Sequence, residues 1–360
     1  MENAMTPNSQ SSLPLVAKLG LIGALGAAAI YAARQRRRMD FAGKTVLISG
    51  ASRGLGLELA RTFADEGADL VLLARDPNKL MHTAEELRGR GTKVLAHVCD
   101  VRDQRQVHDS VATILSETRR VDVLINNAGT IQVGPIENMD FKDFESAMGV
   151  PFWGPLYLLQ EIIPHMKAYG GGRIVNIASI GGKVAVPHLL PYAASKFALV
   201  GLSEGMREEL LKDGIYVTTV CPGLMRTGSH LNAFFKGQHK KEYALFAIAN
   251  ASPALSIASE RAAREIIEAC RYGKAEITIT PQARLLRLIN GVFPSLISEA
   301  FGFVSRILPR PREYTGNRLQ EGWQSRSALA PSLLTRPADR AAARNNELPE
   351  AEAAQISGAG

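Results

Sequence analysis

Residues 44–56 read KTVLISGASRGLG, and they decide the fold. A short apolar strand runs directly into three glycines, and apolar residues at helical spacing follow them. Those helical positions are Leu57, Leu59, Ala60 and Phe63. The order strand, glycine turn, helix predicts a phosphate-binding loop, because glycine lets the backbone approach a pyrophosphate and the helix N-terminus offers N–H groups. An ordinary turn between a strand and a helix is the alternative for this stretch alone.

Six further apolar segments with the length of strands follow, separated by helical patterns. They cover residues 69–73, 93–98, 121–125, 173–177, 215–220 and 275–280. Strands that alternate with helices predict an α/β fold, a doubly wound parallel seven-stranded Rossmann sheet in one catalytic domain over 40–282. Ligands of such sheets bind at the carboxyl ends of the strands, so we expect the functional residues there.

The end of the second strand indicates which dinucleotide binds. NAD-binding units carry an acidic residue there, which takes the ribose 2′-hydroxyl. Here the position is Ala74, followed by Arg75, and Arg53 lies within the glycine loop. Two arginines suit a 2′-phosphate and favour NADP(H) over NAD(H). A shift of one residue would place Asp76 at that position instead and restore NAD(H).

Tyr192 and Lys196 are four residues apart on a predicted helix, so both side chains point into the same space. An ammonium beside a phenol favours the phenolate and lowers the tyrosine pKa, which would let the tyrosine exchange a proton near neutral pH. Ser179 follows the fifth strand and offers a hydroxyl for a substrate oxygen. Alone, a tyrosine and a lysine at this spacing are common and favour an ordinary surface helix; the other motifs of the chain reverse that interpretation.

Together these motifs resemble those of the short-chain dehydrogenase/reductase superfamily, over about residues 40–230. The resemblance implies an oxidoreductase that moves a hydride between NADP(H) and a carbonyl or secondary alcohol. Its catalytic residues would be Ser179, which orients the substrate oxygen, Tyr192 as general acid/base, and Lys196. The implied cofactor-binding residues are Gly50, Ser52, Arg53, Gly54, Leu55, Gly56, Arg75, Asp100, Val101, Asn127, Ala128, Gly129, Tyr192, Lys196, Pro222, Gly223 and Thr227. Asp100 would contact the adenine, and the turn at 126–129 would brace the sheet. The resemblance also implies a homodimer or homotetramer.

One position departs from the family pattern. Family members carry an asparagine in the helix after the fourth strand, where this chain has Pro151, and Pro155 follows one turn later. Proline lacks the N–H and clashes with the carbonyl four residues back, so we expect a kinked or broken helix over 150–155. Because Ser179, Tyr192 and Lys196 are all present, the sequence favours an active enzyme. The alternative is a membrane-anchored NADP(H)-binding sensor or scaffold with weak or no turnover.

The N-terminal region predicts a membrane anchor. Residues 13–33 form an apolar stretch whose one charge is Lys18, long enough as a helix to span a bilayer core. Basic residues follow it at 34 and 36–38, which places the catalytic domain on the cytoplasmic side of a single-pass membrane protein. A soluble or amphipathic extension is the alternative. The same basic cluster accounts for four of the net charges of +7, so this charge does not indicate nucleic-acid binding. The three cysteines and the histidines show no metal-ligand spacing.

The remaining segments divide around the catalytic domain. The predicted organisation is a flexible N-terminus (1–12), the anchor (13–33), a basic linker (34–39), the domain (40–282), an amphipathic helical extension (283–308) and a disordered tail (309–360). The extension could contact the membrane, cap the substrate pocket or pack between subunits. With the anchor, it suggests a lipophilic substrate.

Overall fold

A computed structural model describes residues 35–349 without a gap, and residues 20, 23, 24, 26, 28, 31 and 32 before them. Its centre is a seven-stranded sheet in which every strand pairs in parallel. The strands are β1 (Thr45–Ser49), β2 (Asp69–Ala74), β3 (Val94–Val98), β4 (Val123–Asn126), β6 (Gly172–Ile177), β7 (Ile215–Pro222) and β11 (Glu276–Ile279), in the spatial order β3-β2-β1-β4-β6-β7-β11. The α/β fold and the parallel seven-stranded sheet are therefore confirmed.

Helices cover both faces of the sheet. The helices are α1 (Gly54–Asp65), α2 (Pro77–Gly89), α3 (Gln104–Glu117), α4 (Phe141–Met148), α5 (Gly154–Ala168), α6 (Leu190–Leu210), α7 (Ser229–Asn232), α8 (His239–Ala251), α9 (Ser259–Arg271), α10 (Pro281–Val292), α11 (Pro294–Ile307) and α12 (Arg336–Arg344). Helices α1, α2 and α9 pack on one face, and α3, α5 and α6 on the other. Strand side chains alternate between faces, so Val46 and Ile48 of β1 join the first core and Leu47 joins the second. Burial on both faces explains why these strands read as continuous apolar runs.

Five short strands lie outside the main sheet. They are β5 (Gln132–Val133), β8 (Leu224–Arg226), β9 (Phe234–Phe235), β10 (Ser256–Ala258) and β12 (Gln320–Glu321). Strand β10 pairs with β8, and β9 lies between β5 and β12. These pairs place the segment after β7 and part of the C-terminal region over the carboxyl edge of the main sheet. Isolated 3₁₀ turns cover 136–138, 180–182, 211–213, 314–317 and 322–325.

The helix that carries Pro151 is interrupted as expected. A π-helical turn, Gly149–Trp153, separates α4 from α5, and the N–H of Gly154 donates to the carbonyl of Gly149, five residues back. Pro151 has no N–H to give to a regular α-helical ladder, so a wider turn accommodates it. Pro155, at the start of α5, likewise cannot donate to the Pro151 carbonyl as a regular α-helix would require. The two prolines thus widen one helical turn, and the chain continues directly from α4 through this turn into α5.

The predicted membrane anchor cannot be compared with the structure. Residues 1–12, most of 13–33, and Arg34 lie outside the described residues. Among the residues that are described, no single helix is long and apolar enough to cross a membrane. Helices α10 and α11 are long and apolar enough to cross a membrane only when they are taken together, and the pair is bent by 119°.

The predicted disordered tail is wrong over residues 309–349. This segment forms β12, two 3₁₀ turns and α12, and it packs on the domain. Alanines at 338, 341 and 342 make one buried face of α12, while Asn345 and Glu347 are also buried. The contacts use small alanines and polar hydrogen bonds rather than large apolar side chains, and such packing leaves little hydrophobic pattern in the sequence. Residues 350–360 lie outside the described part of the chain.

Candidate active site

A cavity of about 840 Å³ opens at the carboxyl ends of the strands. It lies where the strand order reverses between β1 and β4, the point at which open parallel sheets bind ligands. Every predicted site residue except Gly56 lines this cavity. The topology therefore brings together residues from position 50 to position 227 that are dispersed along the chain.

The glycine loop makes its close approaches without side chains. Gly50 and Gly54 have φ values of 66° and 60°, which favour glycine. Gly56 faces away from the cavity, and a Cβ there would overlap the carbonyl oxygen of Gly50 and lie 2.6 Å from Nδ2 of Asn127. Its function is to let α1 begin directly against the loop. The loop and the α1 N-terminus form a cradle in which added side chains would not fit.

The turn after β4 is tied to this loop through Ser49. The hydroxyl of Ser49 accepts the N–H groups of Asn127 and Ala128 at 3.1 and 3.2 Å. The amide of Asn127 donates to the carbonyls of Ser49 and Gly50 at 3.2 and 3.0 Å. Asn126, which is buried, donates to Oδ1 of Asn176 at 2.8 Å. These bonds fix the two cavity walls relative to each other, in agreement with the bracing role that the resemblance implies.

The end of β2 presents a basic edge to the cavity. Arg75 is exposed and lines the cavity, while the Asp76 carboxylate accepts the N–H of Lys79 at 3.0 Å and caps α2. Asp76 therefore has a structural partner of its own. Asp100 also lines the cavity, and Arg102 donates to its carboxylate at 2.5 Å, which keeps the pKa of that carboxyl below its usual range despite partial burial.

Ser179, Tyr192 and Lys196 meet at the inner end of the cavity. The Lys196 ammonium lies 5.8 Å from the centre of the Tyr192 ring and donates to the carbonyl of Ile177 at 2.8 Å. The Ser179 hydroxyl accepts the N–H of Gly181 at 3.0 Å and interacts with the Tyr192 phenol. A carbonyl or alcohol oxygen placed between Ser179 and Tyr192 would reach both hydroxyls.

The electrostatics of this group differ from the sequence-based expectation. Burial raises the pKa of Tyr192, and the hydrogen bond with Ser179 opposes that rise only in part. Burial also lowers the pKa of Lys196 to about 8. The net direction is opposite to the expected lowering, because desolvation outweighs any attraction to the Lys196 ammonium, which donates to a backbone carbonyl. At neutral pH Tyr192 is protonated and able to donate.

The loop after β7 closes the opposite side of the cavity. Pro222, Gly223 and Thr227 all line it. The N–H of Gly223 donates to the carbonyl of Ile279 at 3.1 Å, and a Cβ at Gly223 would lie 2.6 Å from Oγ1 of Thr280. The hydroxyl of Thr227 accepts the N–H of Ser229 at 3.2 Å. This loop is thus held by the end of β11 and the start of α7.

Several cavity residues lie outside the predicted catalytic and cofactor-binding sets, although capping of the substrate pocket was one of the alternatives for the extension over 283–308. Phe246, Asn250, Leu286 and Phe301 line the cavity from helices α8, α10 and α11. The more unexpected one is Glu347, which reaches the cavity from residues 345–348, here called the C-terminal strap. No motif marks the strap, because its four residues are a polar sequence, NNEL, at the end of an alanine-rich stretch.

Comparison with known proteins agrees with this geometry. The short chain dehydrogenase family matches residues 44–234. A putative ketoacyl reductase of the granaticin polyketide synthase of Streptomyces violaceoruber is 39% identical over 183 residues, covering 50% of this chain and 67% of that protein. The putative oxidoreductase SadH of Mycobacterium tuberculosis is 31% identical over 269 residues, covering 72% of this chain and 95% of its own.

A solved structure extends the comparison to three dimensions. The L-sorbose reductase of Gluconobacter frateurii, complexed with NADPH and L-sorbose, superposes with a TM-score of 0.61 at 28% identity and covers 67% of this chain and 97% of its own. Sequence similarity, topology and the arrangement of the cavity residues lead to one assignment. The chain belongs to the short-chain dehydrogenase family of oxidoreductases.

Proposed function

We propose that this protein transfers a hydride between NADP(H) and a carbonyl or secondary alcohol, with Tyr192 as general acid/base. The observation that carries the proposal is the meeting of Ser179, Tyr192 and Lys196 at the inner end of the cavity that the glycine loop also lines. The similar L-sorbose reductase was solved with NADPH, which supports a nicotinamide dinucleotide here. The glycine cradle, in which no Cβ fits at Gly50 or Gly56, suits a pyrophosphate.

The protein residues perform the proton chemistry. The dinucleotide, when bound, supplies or accepts the hydride. In the reductive direction the phenol of Tyr192 donates its proton to the substrate oxygen, and in the oxidative direction its phenolate takes that proton back. The Ser179 hydroxyl holds the same oxygen. The Lys196 ammonium stabilises the phenolate as it forms, since opposite charges in a buried site attract more strongly than in water.

The direct experiment is a measurement of NADPH consumption by the purified protein. Aldehydes and ketones of increasing chain length form the substrate panel, and the corresponding alcohols with NADP⁺ test the reverse direction. A rate that rises with the length of the alkyl chain would support a lipophilic substrate. The absence of turnover on every compound would instead favour the alternative function, an NADP(H)-binding sensor or scaffold, for which Pro151 in the π-helical turn is the motivating feature.

The preference for NADP(H) rests on Arg75. We expect Arg75→Ala to weaken NADPH binding roughly tenfold to a hundredfold and to leave NADH binding unchanged, because only NADPH carries the 2′-phosphate that a guanidinium can bind. Equilibrium titration followed by nicotinamide fluorescence measures both. The matched control is Arg105→Ala, an exposed arginine at the start of α3 outside the cavity lining. An equal loss for both dinucleotides would contradict the assigned role of Arg75.

The proposed membrane association rests on helices α10 and α11. Their large exposed apolar residues are Leu285, Leu288, Val292, Phe293, Leu296, Phe303 and Ile307. Leu286 and Phe301 of the same helices line the cavity. The pair contains arginines at 284, 287 and 306 and a single acid, Glu299. A basic, apolar surface beside the cavity suits a lipid interface and a lipophilic substrate that enters from it. With the N-terminal anchor, we propose a single-pass membrane protein with a cytoplasmic domain, which forms a homodimer or homotetramer.

A fluorophore on α11 tests this contact. We expect an NBD label on Leu296→Cys to brighten and shift to the blue on vesicles that contain anionic lipid, because the label enters an apolar medium. The three native cysteines are buried and leave the new thiol as the accessible one among the described residues. Ala112→Cys, exposed on α3, is the control and should not change. Vesicle-bound protein with no change at residue 296 would show that α11 stays in water.

A further inference from the structure

The C-terminal strap, residues 345–348, crosses the glycine loop. The carbonyl of Asn345 accepts the N–H of Gly54, the first residue of α1, at 2.8 Å. The Asn346 amide donates to the carbonyl of Ser52 at 2.9 Å. On the other side, Lys79 donates to the carbonyls of Asn346 and Leu348 at 3.1 and 2.8 Å. The strap therefore lies between the glycine loop and the first turn of α2, above the ends of β1 and β2.

Within the strap, the Glu347 carboxylate points at the glycine loop. Oε1 lies so close to Gly54 that a Cβ on this glycine would overlap it. Oε2 accepts from Asn232 at 2.6 Å and lies 3.7 Å from Nε of Arg53, whose Nη1 donates to the same asparagine. The side chain of Glu347 is only 6% exposed. A buried carboxyl group thus rests on the α1 N-terminus, against a loop that is built to accept negative oxygens. Burial raises the pKa of this carboxyl, and the charges of Arg53 and Lys79 oppose that rise.

The Glu347 carboxyl group lies where the proposed cofactor would place its negatively charged pyrophosphate. A pyrophosphate on the glycine loop would lie against Gly54 and the α1 N-terminus, the same groups that Glu347 and Asn345 now contact. Two cations at this end, Arg53 and Lys79, already face the strap. A bound dinucleotide would meet the buried carboxylate at short range, where like charges repel strongly.

We propose that the C-terminal strap is a self-ligand of the glycine loop, with the Glu347 carboxylate in the place of the dinucleotide pyrophosphate. The strap sets the affinity for the cofactor, since Glu347 must leave the loop for the pyrophosphate to bind. This inference rests on the proposed function, because it takes a nicotinamide dinucleotide as the competing ligand. It assigns to Glu347 a part in cofactor binding that the family motifs do not contain.

The strap is held to the loop by polar contacts. These attachments are hydrogen bonds and one ion pair. Away from the loop, the buried Asn345 amide donates to the Ser259 hydroxyl at 3.1 Å, and Leu348 packs, partly buried, against the apolar cluster that contains Phe235. Helix α12, just before it, stays anchored by the buried alanines at 338, 341 and 342. Release of the Glu347 side chain from the loop therefore breaks polar contacts and leaves α12 in place.

The decisive variant is Glu347→Gln, which keeps the shape of the side chain and an oxygen for Asn232 but removes the charge. We expect this variant to bind NADPH and NADH about tenfold more tightly or better than the wild type, because both contain the pyrophosphate. Binding of adenosine, which has no phosphate, should be the same in both proteins. The control is Glu313→Gln, an exposed acid of the same C-terminal region that lines no part of the cavity.

Tryptic cleavage after Arg344 gives a second readout. If the dinucleotide displaces the strap, NADPH should accelerate cleavage at Arg344 in the full-length protein, whereas it should slow cleavage at sites in the domain. Unchanged or weaker NADPH binding by Glu347→Gln, or protection of Arg344 by NADPH, would overturn the self-ligand and make the strap a clamp, with the proposed reaction intact. If neither wild type nor Glu347→Gln binds any dinucleotide, both the strap proposal and the proposed function fail.

Discussion

Tyr192→Phe is expected to lower the rate of NADPH-dependent carbonyl reduction by at least about 100-fold while NADPH still binds. The change removes only the hydroxyl that would give the proton to the substrate oxygen. Burial raises the pKa of this phenol, so it is protonated at neutral pH and ready to act as the acid in reduction. The phenylalanine ring fills the same space, and the change adds no atom that could reach the glycine loop. Single-turnover rates and NADPH titration separate the two effects.

Tyr169→Phe is the matched control for this experiment. Tyr169 follows α5, is 49% exposed and does not line the cavity, so loss of its hydroxyl should leave the rate unchanged. Equal, measurable rates for wild type and Tyr192→Phe would exclude Tyr192 as the proton donor. Equal absence of turnover, with NADPH bound tightly by both, would favour the sensor or scaffold function.

Gly56→Ala should abolish dinucleotide binding and destabilise the fold by about 1–3 kcal/mol or more. The added methyl would overlap the carbonyl oxygen of Gly50. This oxygen belongs to the loop backbone, so a change of side-chain rotamer cannot remove the overlap. The methyl would also press on the Asn127 amide that joins the loop to the β4 turn. Either the start of α1 or the loop must move, and both form the phosphate cradle. Urea denaturation and NADPH titration give the two values.

Gly201→Ala is the control for the general effect of replacing a glycine. Gly201 lies inside α6 on an exposed face, and a Cβ there would meet nothing within 4 Å. Alanine at this position should stabilise the protein by roughly 0.5–1 kcal/mol and leave NADPH binding unchanged, because the unfolded chain loses freedom. If Gly56→Ala matched this control in both measurements, the close approach of loop and helix would not constrain the site.

The glycine loop and the strands could be predicted because their signals are local. Residues 44–56 contain the strand, the turn and the helix start in one stretch, and double burial makes the strands apolar throughout. The pairing of Tyr192 with Lys196 on one helix is equally local. The direction in which the Tyr192 pKa shifts could not be predicted in this way. It depends on how deeply the phenol is buried and on the Ile177 carbonyl, to which the Lys196 ammonium donates.

The tail illustrates a different limit of the sequence. Its composition resembles that of disordered segments, because its contacts are made by alanines and polar groups whose partners lie far away along the chain. Asn346, for example, bonds to Ser52. Nothing near either residue marks this contact. The wide turn at Pro151, by contrast, was predictable, since proline lacks the N–H that a regular helical turn requires, although Pro164 lies inside α5 without ending it.

The bond between Asn346 and Ser52 joins positions 294 residues apart, which has a consequence for the biosynthesis of the protein. During translation the N-terminal part of a domain leaves the ribosome first and starts to fold before the end of the chain exists. The glycine loop is then complete while the strap is still unsynthesised or within the exit tunnel. A nascent chain would thus meet the cellular dinucleotide pool with an open loop, and Glu347 would compete for the loop only once residues 345–348 have left the ribosome.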